Sequence, residues 1–250
     1  MGINIEKTFE MVFDYHTHTT FSHGKGSIED NVKAAISAGL TELAITDHGP
    51  GHLTYGVKRR DFPVMRKEVD RLRQVYPQLK LYLGVEANVV AKPPYLDVRE
   101  DELAYFDFII GGYHYGILGG YCAGNWLDAH GLLPEAAGRN LLVRNTEMTI
   151  AALYENDLKI LTHPGDKGRF DIAAIAKACE ETETLMEIST WHSHLTVEEI
   201  KTAAKADVKF VVSSDAHTPD RVGSFAGGVE RALQAGLDIE RIVNIRKIQQ

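Results

Sequence analysis

Histidine and carboxylate side chains in this sequence recur at spacings that suit metal binding. His16 and His18 stand one residue apart at the end of an apolar run, so in a strand both imidazoles project from the same face. Five further apolar runs end in such residues, at His48, at Glu86, at His114, at His163 and at the pair Asp215 and His217. Ligands of this kind, without thiolates, favour zinc, iron or manganese over calcium or magnesium. Scattered structural histidines have no reason to choose this position, so the set predicts a metal centre.

The candidate ligands are too numerous for a single ion. They are His16, His18, His23, His48, Glu86, His114, His163, Asp215 and His217. A tetrahedral ion takes about four ligands, so these nine fit two or three divalent ions (Zn, Mn or Fe) that share Glu86 as a bridge. Closely spaced ions activate water and neutralise the attacking and leaving oxygens of a displacement. The predicted chemistry is hydrolysis of a phosphate ester, with Glu86, Asp215 and His217 as candidate catalytic residues.

Seven short apolar runs must position these side chains, and helical patterns lie between most of them. The predicted strands are Met11–Tyr15, Leu43–Thr46, Leu79–Val85, Phe106–Gly111, Leu158–Thr162, Thr184–Ile188 and Val208–Ser213. The predicted helices are Ser27–Ala38 (N-cap Ser27, followed by Asp30), Phe62–Val75, Asn145–Glu155, Ile172–Glu181, Thr196–Lys205 and Val229–Ala235. This alternation predicts a parallel sheet, either a barrel or an open doubly wound sheet. In a barrel the carboxyl ends of all strands meet on one face, where active sites are built.

The ordered motifs resemble those of the PHP family, the polymerase and histidinol phosphatase superfamily, over essentially the whole chain. They are His16-Thr17-His18 followed by His23, Thr46-Asp47-His48-Gly49, Gly84-Val85-Glu86-Ala87-Asn88, Gly111-Gly112-Tyr113-His114, Thr162-His163-Pro164-Gly165 and Ser214-Asp215-Ala216-His217. The resemblance implies a single α/β domain over residues 1–250, built as a distorted barrel of seven β/α units with a trinuclear metal centre. It implies one ion on His16, His18, Glu86 and Asp215, a second on Glu86, His114 and His163, and a third on His23, His48 and His217.

The length of the chain resembles that of the stand-alone phosphatases of this family. The resulting prediction is a metal-dependent phosphomonoesterase that acts on a small phosphorylated substrate. Two alternatives stay open, a nuclease or phosphodiesterase acting on DNA or nucleotides, and a non-catalytic metal-binding accessory module. The segment Glu187–His192 departs from the asparagine-containing segment that many family members have after the sixth strand, which leaves substrate selection open.

Residues around the motifs have predicted supporting roles. Lys167, Arg169 and Arg221 are candidate substrate-binding cations, because phosphate recognition needs cationic donors beside the metals. Asp14 and Asp47 are predicted to accept hydrogen bonds from ligand histidines and to fix their tautomers. His192 and His194 are interpreted as solvated loop residues rather than rim residues, and His52 and His130 as residues that bind no metal. Lys58–Arg60 is predicted to form a solvated face, and Tyr113 and Tyr115 are predicted to pack rather than react. The segment Gly112–Asn140 is predicted to be a loop that covers the site.

Composition narrows the class of protein. The 250 residues are 44% hydrophobic and 25% charged with a formal net charge of −8, which is typical of soluble globular proteins and excludes disordered and collagen-like chains. The acidic balance argues against nucleic acid as a partner, since that requires clustered lysine and arginine. Cys122 and Cys179 are too few for a disulfide framework and are expected to be buried. With no signal sequence or apolar membrane span in view, we expect a cytoplasmic protein without a membrane anchor.

Overall fold

Seven parallel strands form a nearly closed barrel at the centre of the computed structural model, which describes residues 4–248. In spatial and chain order they are β2 (Phe13–Asp14), β3 (Glu42–Ile45), β4 (Lys80–Asn88), β5 (Phe108–Gly112), β6 (Leu158–Leu161), β7 (Leu185–Ser189) and β8 (Phe210–Ser213). A separate antiparallel pair consists of β1 (Phe9–Met11) and β9 (Ile245–Lys247). The predicted distorted barrel of seven β/α units is confirmed. The open doubly wound alternative is wrong, because the strand order never reverses.

Helices connect most of the barrel strands and cover the outside of the sheet. They are α1 (Ile5–Thr8), α2 (Ile28–Ser37), α3 (Phe62–Val75), α4 (Cys122–Ala129), α5 (Glu135–Glu155), α6 (Ile172–Glu181), α7 (Val197–Ala203) and α8 (Ala226–Gln234), with 3₁₀ turns at Arg59–Asp61, Glu100–Tyr105, Pro219–Arg221 and Ile239–Arg241. Ser27 caps α2 in a reciprocal capping box with Asp30, as its sequence predicts. Among residues 4–248, every helix is too short or too polar to cross a membrane.

The glycine-rich segment Gly112–Asn140 contains more helix than its sequence suggests. Helix α4 and the first turns of α5 lie within it, so its interpretation as a site-covering loop is wrong for this part. Three of its glycines, Gly116, Gly119 and Gly131, have positive φ values and serve turns, whereas two others lie where α4 and α5 pack closely. A Cβ on Gly138 would lie 2.6 Å from Asp128 Oδ1, and one on Gly124 would lie 3.1 Å from the Leu141 side chain. A side chain at either position would therefore displace the facing Asp128 or Leu141 side chain where α4 and α5 meet.

The apolar cluster inside the barrel supports the edge where the strands end. Its buried members are Tyr15, Ala44, Ile110, Ile160 and Val211. Tyr15 directly follows β2, and the other four lie in β3, β5, β6 and β8. Alternate residues of a strand share a face, so Val211 lies on the face that continues to Asp215. The candidate ligands therefore sit directly above a packed interior, which fixes the positions of their backbones.

Asn244 closes the seam between the first and last barrel strands. Its fully buried side chain donates to the carbonyls of Phe13 (2.8 Å) and Val212 (2.7 Å), and its oxygen accepts the N–H of Val212 (3.1 Å). Beyond the strand ends, the seam continues as a bridge between Thr17 and Ala216. One amide thus replaces ladder hydrogen bonds between strands that do not pair directly.

Replacing Asn244 with alanine is expected to lower the free energy of unfolding by about 3 kcal/mol, because two buried backbone groups of Val212 and the partly buried Phe13 carbonyl lose this partner. The measurement is urea unfolding followed by circular dichroism. Asn140→Ala, at an exposed position of α5, is the matched control and is expected to change stability by less than about 0.5 kcal/mol. A loss below about 1 kcal/mol for Asn244→Ala would contradict the assigned role of the seam.

Candidate metal centre

Glu86, near the end of β4, occupies the centre of the candidate site. Its side chain is fully buried, and imidazole nitrogens of five histidines surround its carboxylate. Oε1 lies 3.2 Å from His16 Nε2, 3.2 Å from His114 Nε2 and 2.9 Å from His163 Nε2. Oε2 lies 2.8 Å from His48 Nδ1 and 3.7 Å from His18 Nε2. The two oxygens of one carboxylate therefore face different groups of histidines.

The remaining predicted ligands adjoin this centre. Asp215 Oδ1 lies 3.1 Å from His18 Nε2 and 3.5 Å from His16 Nε2. The ring of His23 lies 4.8 Å from that of His48 and 4.2 Å from that of His217. The structure thus brings all nine predicted ligands together at the carboxyl-terminal edge of the barrel, although His23 belongs to an exposed loop position.

The donor atoms fit metal ions better than they fit one another. Six imidazole nitrogens of the cluster are buried without a hydrogen-bond partner, as is one carboxylate oxygen: His16 Nε2, His18 Nδ1, both ring nitrogens of His48, His114 Nε2, His163 Nδ1 and Glu86 Oε2. Donors around a tetrahedral zinc ion lie roughly 3.4 Å apart, close to the spacings observed around Glu86. Buried polar atoms without partners are costly, and shared cations would satisfy them.

Within residues 4–248, four sets of three donor residues each place one ligand atom per residue within 4.8 Å of the others. The sets are His16, His18 and Glu86; His48, Glu86 and His114; His18, His48 and His217; and His16, His163 and Asp215. They overlap, because Glu86, His16, His18 and His48 each belong to two sets. This overlap is the geometry that closely spaced ions with shared ligands require.

Burial keeps several of these imidazoles neutral, as metal ligation requires. It lowers the pKa of His18 to about 3, lowers the pKa of His23 to about 4 and holds the pKa of His48 well below its usual range. Burial alone would raise the pKa of Glu86, but the surrounding imidazoles, led by His114, hold that pKa well below its ordinary value. His16 differs, because burial alone would lower its pKa but Glu187, Glu86 and Asp215 hold that pKa well above its usual range. An ionised carboxylate beside neutral imidazoles such as those of His18 and His48 is a donor set suited to a divalent cation.

Two candidate ligands have strained backbones. His163 and Asp215 have positive φ values of 28° and 49°, a region that residues with a side chain rarely adopt. The strain turns each side chain where its strand ends. Such conformations persist where the surrounding structure holds them, and they concentrate at functional sites.

Glu187 and Asn88 orient ligand histidines, a role that the sequence interpretation missed. Glu187 Oε1 accepts the N–H of His16 Nδ1 at 2.7 Å, and its Oε2 accepts the backbone N–H of His163 at 2.7 Å. Asn88 Oδ1 accepts the N–H of His114 Nδ1 at 2.9 Å. Each bond directs the other ring nitrogen of its histidine toward Glu86. The sequence did contain a signal for the role of Glu187. This residue lies near the end of Thr184–Ile188, the one predicted strand to which no ligand was assigned.

The predicted role of Asp14 and Asp47 as imidazole acceptors is wrong. Asp14 accepts the backbone N–H groups of Ser214 (3.3 Å) and Gly223 (3.0 Å). Asp47 accepts the backbone N–H and the hydroxyl of Thr19 at 2.7 and 2.6 Å. Both carboxylates therefore hold the loops that carry the ligands. The short spacing between each aspartate and a ligand histidine favoured an imidazole as the hydrogen-bond partner. In the folded chain, however, buried loops have backbone N–H groups that need acceptors, and the two aspartates supply them.

His192 lies at the rim of the centre, so its interpretation as a solvated loop residue is wrong. Its Nε2 is 3.1 Å from Asp215 Oδ2 and its Nδ1 is 3.1 Å from Asp166 Oδ1. Burial alone would lower the pKa of His192, but these two carboxylates raise it to about 9. His194 instead bonds Glu199 at 3.0 Å.

The other histidines and aromatic residues lie outside the donor sets. His52 is buried against Tyr55 with its ring 6.3 Å from that of His48, and exposed His130 donates to the Trp126 carbonyl. Tyr113 is buried and donates to the Gly120 carbonyl, which agrees with packing.

The three candidate substrate cations differ in their surroundings. Lys167 pairs with Asp166 at 2.5 Å, and Arg169 pairs with Asp128 at 2.8 Å. The guanidinium of Arg221 lies 5.1 Å over the ring of Trp191, and that ring lies 5.6 Å from the ring of His217. Among residues 4–248, Arg221 is therefore the candidate that has no carboxylate partner, and Trp191 links it to the neighbourhood of His217.

Two smaller predictions about surface and cysteine residues have mixed outcomes. In the run Lys58–Arg60, Arg59 is partly buried and bonds Glu102 and the Asp97 carbonyl, so the run is not wholly a solvated face. Cys179 is buried as expected. Cys122 is only half-buried, and its thiol faces the carbonyls of His114 and Ile117.

Comparisons with known proteins agree with this arrangement. The PHP domain profile matches residues 14–198. A Shewanella pealeana protein named "Probable phosphatase" is 27% identical over 92% of this chain and 87% of its own length. The DNA polymerase/3'-5' exonuclease PolX of Bacillus subtilis is 24% identical over 94% of this chain, which spans 39% of that protein. The histidinol phosphate phosphatase of Lactococcus lactis shares the fold, with a TM-score of 0.62 and 17% identity over 91% of this chain and 95% of that one. The chain therefore belongs to the PHP domain family, a family of metal-dependent phosphoesterases.

Proposed function

We propose that this protein hydrolyses phosphate monoesters of small alcohols at a centre of three divalent ions, Zn, Mn or Fe. The observation that carries the proposal is the position of Glu86, whose carboxylate is surrounded by nitrogens of five histidines within 3.7 Å. The names of the phosphatase relatives support the monoester class, and the Lactococcus lactis structure contains zinc, L-histidinol and phosphate. The ion sets that we propose are those implied by the family resemblance.

The residues of this chain would divide the work as follows. Glu86 would be a ligand shared between ions and Asp215 would be a further ligand, whose orientation His192 holds through its contact with Oδ2. Bound divalent ions supply Lewis-acid stabilisation of phosphoryl oxygens and activate water. Arg221 lies over the ring of Trp191, which neighbours His217, and its positive charge would orient the phosphate group. Glu187 and Asn88 keep ligand imidazoles in the orientation that ion binding needs.

The surroundings of the rim support a small substrate over a DNA strand. A groove for single-stranded DNA combines a positively charged path with stacking rings. Here Lys167 is paired with Asp166 and Arg169 with Asp128, so two of the three nearby cations are already neutralised. The relationship to the PolX exonuclease makes a nuclease the second candidate, and the experiment below includes it.

The test is a substrate panel with protein stripped of metal and reloaded with Mn²⁺, Zn²⁺ or Fe²⁺. We expect chelator-sensitive hydrolysis of small monoesters such as ribose 5-phosphate and glycerol 3-phosphate. We expect kcat/KM for bis(p-nitrophenyl) phosphate and for single-stranded DNA to be at least about a hundredfold lower, which corresponds to a difference of about 2.7 kcal/mol. Preferred cleavage of DNA would favour the nuclease. Fully loaded protein that cleaves nothing in the panel would favour an accessory metal-binding module.

A further inference from the structure

Tyr55 places a phenol ring against two of the predicted metal ligands. It belongs to the loop that follows His48 and leads to the 3₁₀ turn Arg59–Asp61. The centre of its ring lies 4.2 Å from that of His23 and 4.9 Å from that of His48. The side chain is half-buried, so it closes one side of the donor cluster and still reaches solvent. Although none of the sequence motifs includes it, Tyr55 thus forms part of the wall of the candidate site.

The loop fixes the position of this ring. His52 stacks on it, with ring centres 3.4 Å apart and planes inclined by 19°. Nδ1 of the same histidine accepts the backbone N–H groups of Thr54 and Tyr55 at 3.3 and 3.4 Å. At Gly56 a Cβ would lie 2.4 Å from the Gly49 carbonyl oxygen, so the loop closes tightly on itself. A group held in this way loses little entropy when a ligand binds to it.

The hydroxyl of Tyr55 is available to a ligand. Among residues 4–248 it has no hydrogen-bond partner, whereas the hydroxyls of Tyr15 and Tyr154 each donate to a glutamate. Burial, and then the charges of Glu86 and Asp215, raise the pKa of Tyr55 to about 12. The hydroxyl is therefore a donor that lies within the electrostatic field of the two carboxylates at the centre.

Hydrogen-bond donors are otherwise few at this site. A phosphate monoester presents three strong acceptor oxygens. The predicted ligands offer lone pairs to cations, and among the candidate substrate cations Lys167 and Arg169 are paired with carboxylates. A neutral hydroxyl adds a donor without adding a positive charge that would repel bound ions. A hydrogen bond to an ionised oxygen is also about twice as strong as one between neutral groups.

We propose that the hydroxyl of Tyr55 donates a hydrogen bond to a phosphoryl oxygen of the substrate, which makes Tyr55 a catalytic residue. The inference rests on the proposed phosphomonoesterase function and adds a residue that contacts the reacting group. The ring has a separate role. It packs on the imidazole of His23, the one predicted ligand at an exposed loop position, and keeps that imidazole beside His48.

Two substitutions at Tyr55 separate the hydroxyl from the ring. Tyr55→Phe removes only the hydroxyl, so we expect elemental analysis to find the full metal content of the unaltered protein. We expect kcat/KM for ribose 5-phosphate to fall by at least about tenfold, because a hydrogen bond to a charged group is lost. For the same reason, the inhibition constant for inorganic phosphate is expected to rise by at least about tenfold. Tyr55→Leu removes the ring as well and is expected to lose metal in addition.

Tyr154 provides the matched control. It is 56% exposed on α5, and its hydroxyl donates to Glu181. Tyr154→Phe is expected to leave kcat/KM and phosphate inhibition unchanged. Unchanged kcat/KM in Tyr55→Phe would overturn the inference. Equal loss of metal in Tyr55→Phe and Tyr55→Leu would also overturn it, because the hydroxyl would then serve the metal site rather than the substrate.

Direct binding of inorganic phosphate separates failure of this inference from failure of the proposed function. Isothermal titration calorimetry on the metal-loaded protein measures this binding without turnover. Weaker phosphate binding by Tyr55→Phe, in a protein that hydrolyses no monoester of the panel, would support the role of Tyr55 and overturn the phosphomonoesterase. Hydrolysis of monoesters, with the same phosphate affinity and the same kcat/KM in Tyr55→Phe, would support the phosphomonoesterase and overturn the role of Tyr55.

Discussion

Glu86→Gln is expected to lower kcat/KM for a phosphomonoester by at least roughly a thousandfold, since metal ions supply several kcal/mol of transition-state stabilisation. The substitution keeps the size of the side chain and removes its charge. It also replaces one carboxylate oxygen with an amide nitrogen, which cannot ligate a cation and faces imidazole nitrogens on either side. Because Glu86 belongs to two donor sets, one substitution disturbs both sets at once.

The measurement pairs kinetics with elemental analysis of the same protein sample. We expect the variant to retain less metal after dialysis and to give the circular dichroism spectrum of the folded barrel, because the apolar interior below the site is unchanged. Glu198→Gln is the control, since Glu198 is 80% exposed on α7 and pairs only with Lys201. A Glu86→Gln protein with full metal content and full turnover would show that Glu86 is not a shared ligand.

The clustering of the candidate ligands was predictable from sequence because strand geometry and chemistry point to the same residues. Alternation places His16 and His18 on one face, and a parallel barrel brings distant strand ends such as Glu86 and Asp215 to a single edge. Neither step needs knowledge of loop conformation. The same reasoning gave the seven barrel strands, whose apolar runs are short and well separated.

The supporting contacts were not predictable in the same way, because they depend on loops. His192 reaches Asp215 only because Ser189 forms a turn that redirects the chain after β7. Asp14 and Asp47 were assigned to imidazoles from their spacing, whereas folded loops present backbone N–H groups to them first. Glycine-rich sequence likewise predicted a loop before α5, because spacing cannot reveal that Gly138 makes room for Asp128.

Glu187→Gln should weaken metal binding by about 10- to 100-fold, the usual effect of removing a partner that orients a ligand. Glu187 is fully buried and its two oxygens are both occupied, one by the ring N–H of His16 and one by the backbone N–H of His163. Glutamine has a single acceptor oxygen, so one of these two bonds is lost. If the bond to His16 is lost, its ring is no longer held with Nε2 toward Glu86. If the bond to His163 is lost, a residue with a strained backbone loses a constraint.

Added metal distinguishes this positioning role from direct ligation. We expect excess Mn²⁺ or Zn²⁺ to restore most of the kcat of Glu187→Gln, because its ligands are present but poorly oriented, and to leave Glu86→Gln inactive. Affinity is measured by competition with a chelator, with Glu147→Gln at an exposed position of α5 as the control. Unchanged affinity in Glu187→Gln would remove Glu187 from the site. Activity that no concentration of metal restores would instead mean that Glu187 takes part in the reaction itself, since a residue that only orients a ligand can be compensated by mass action.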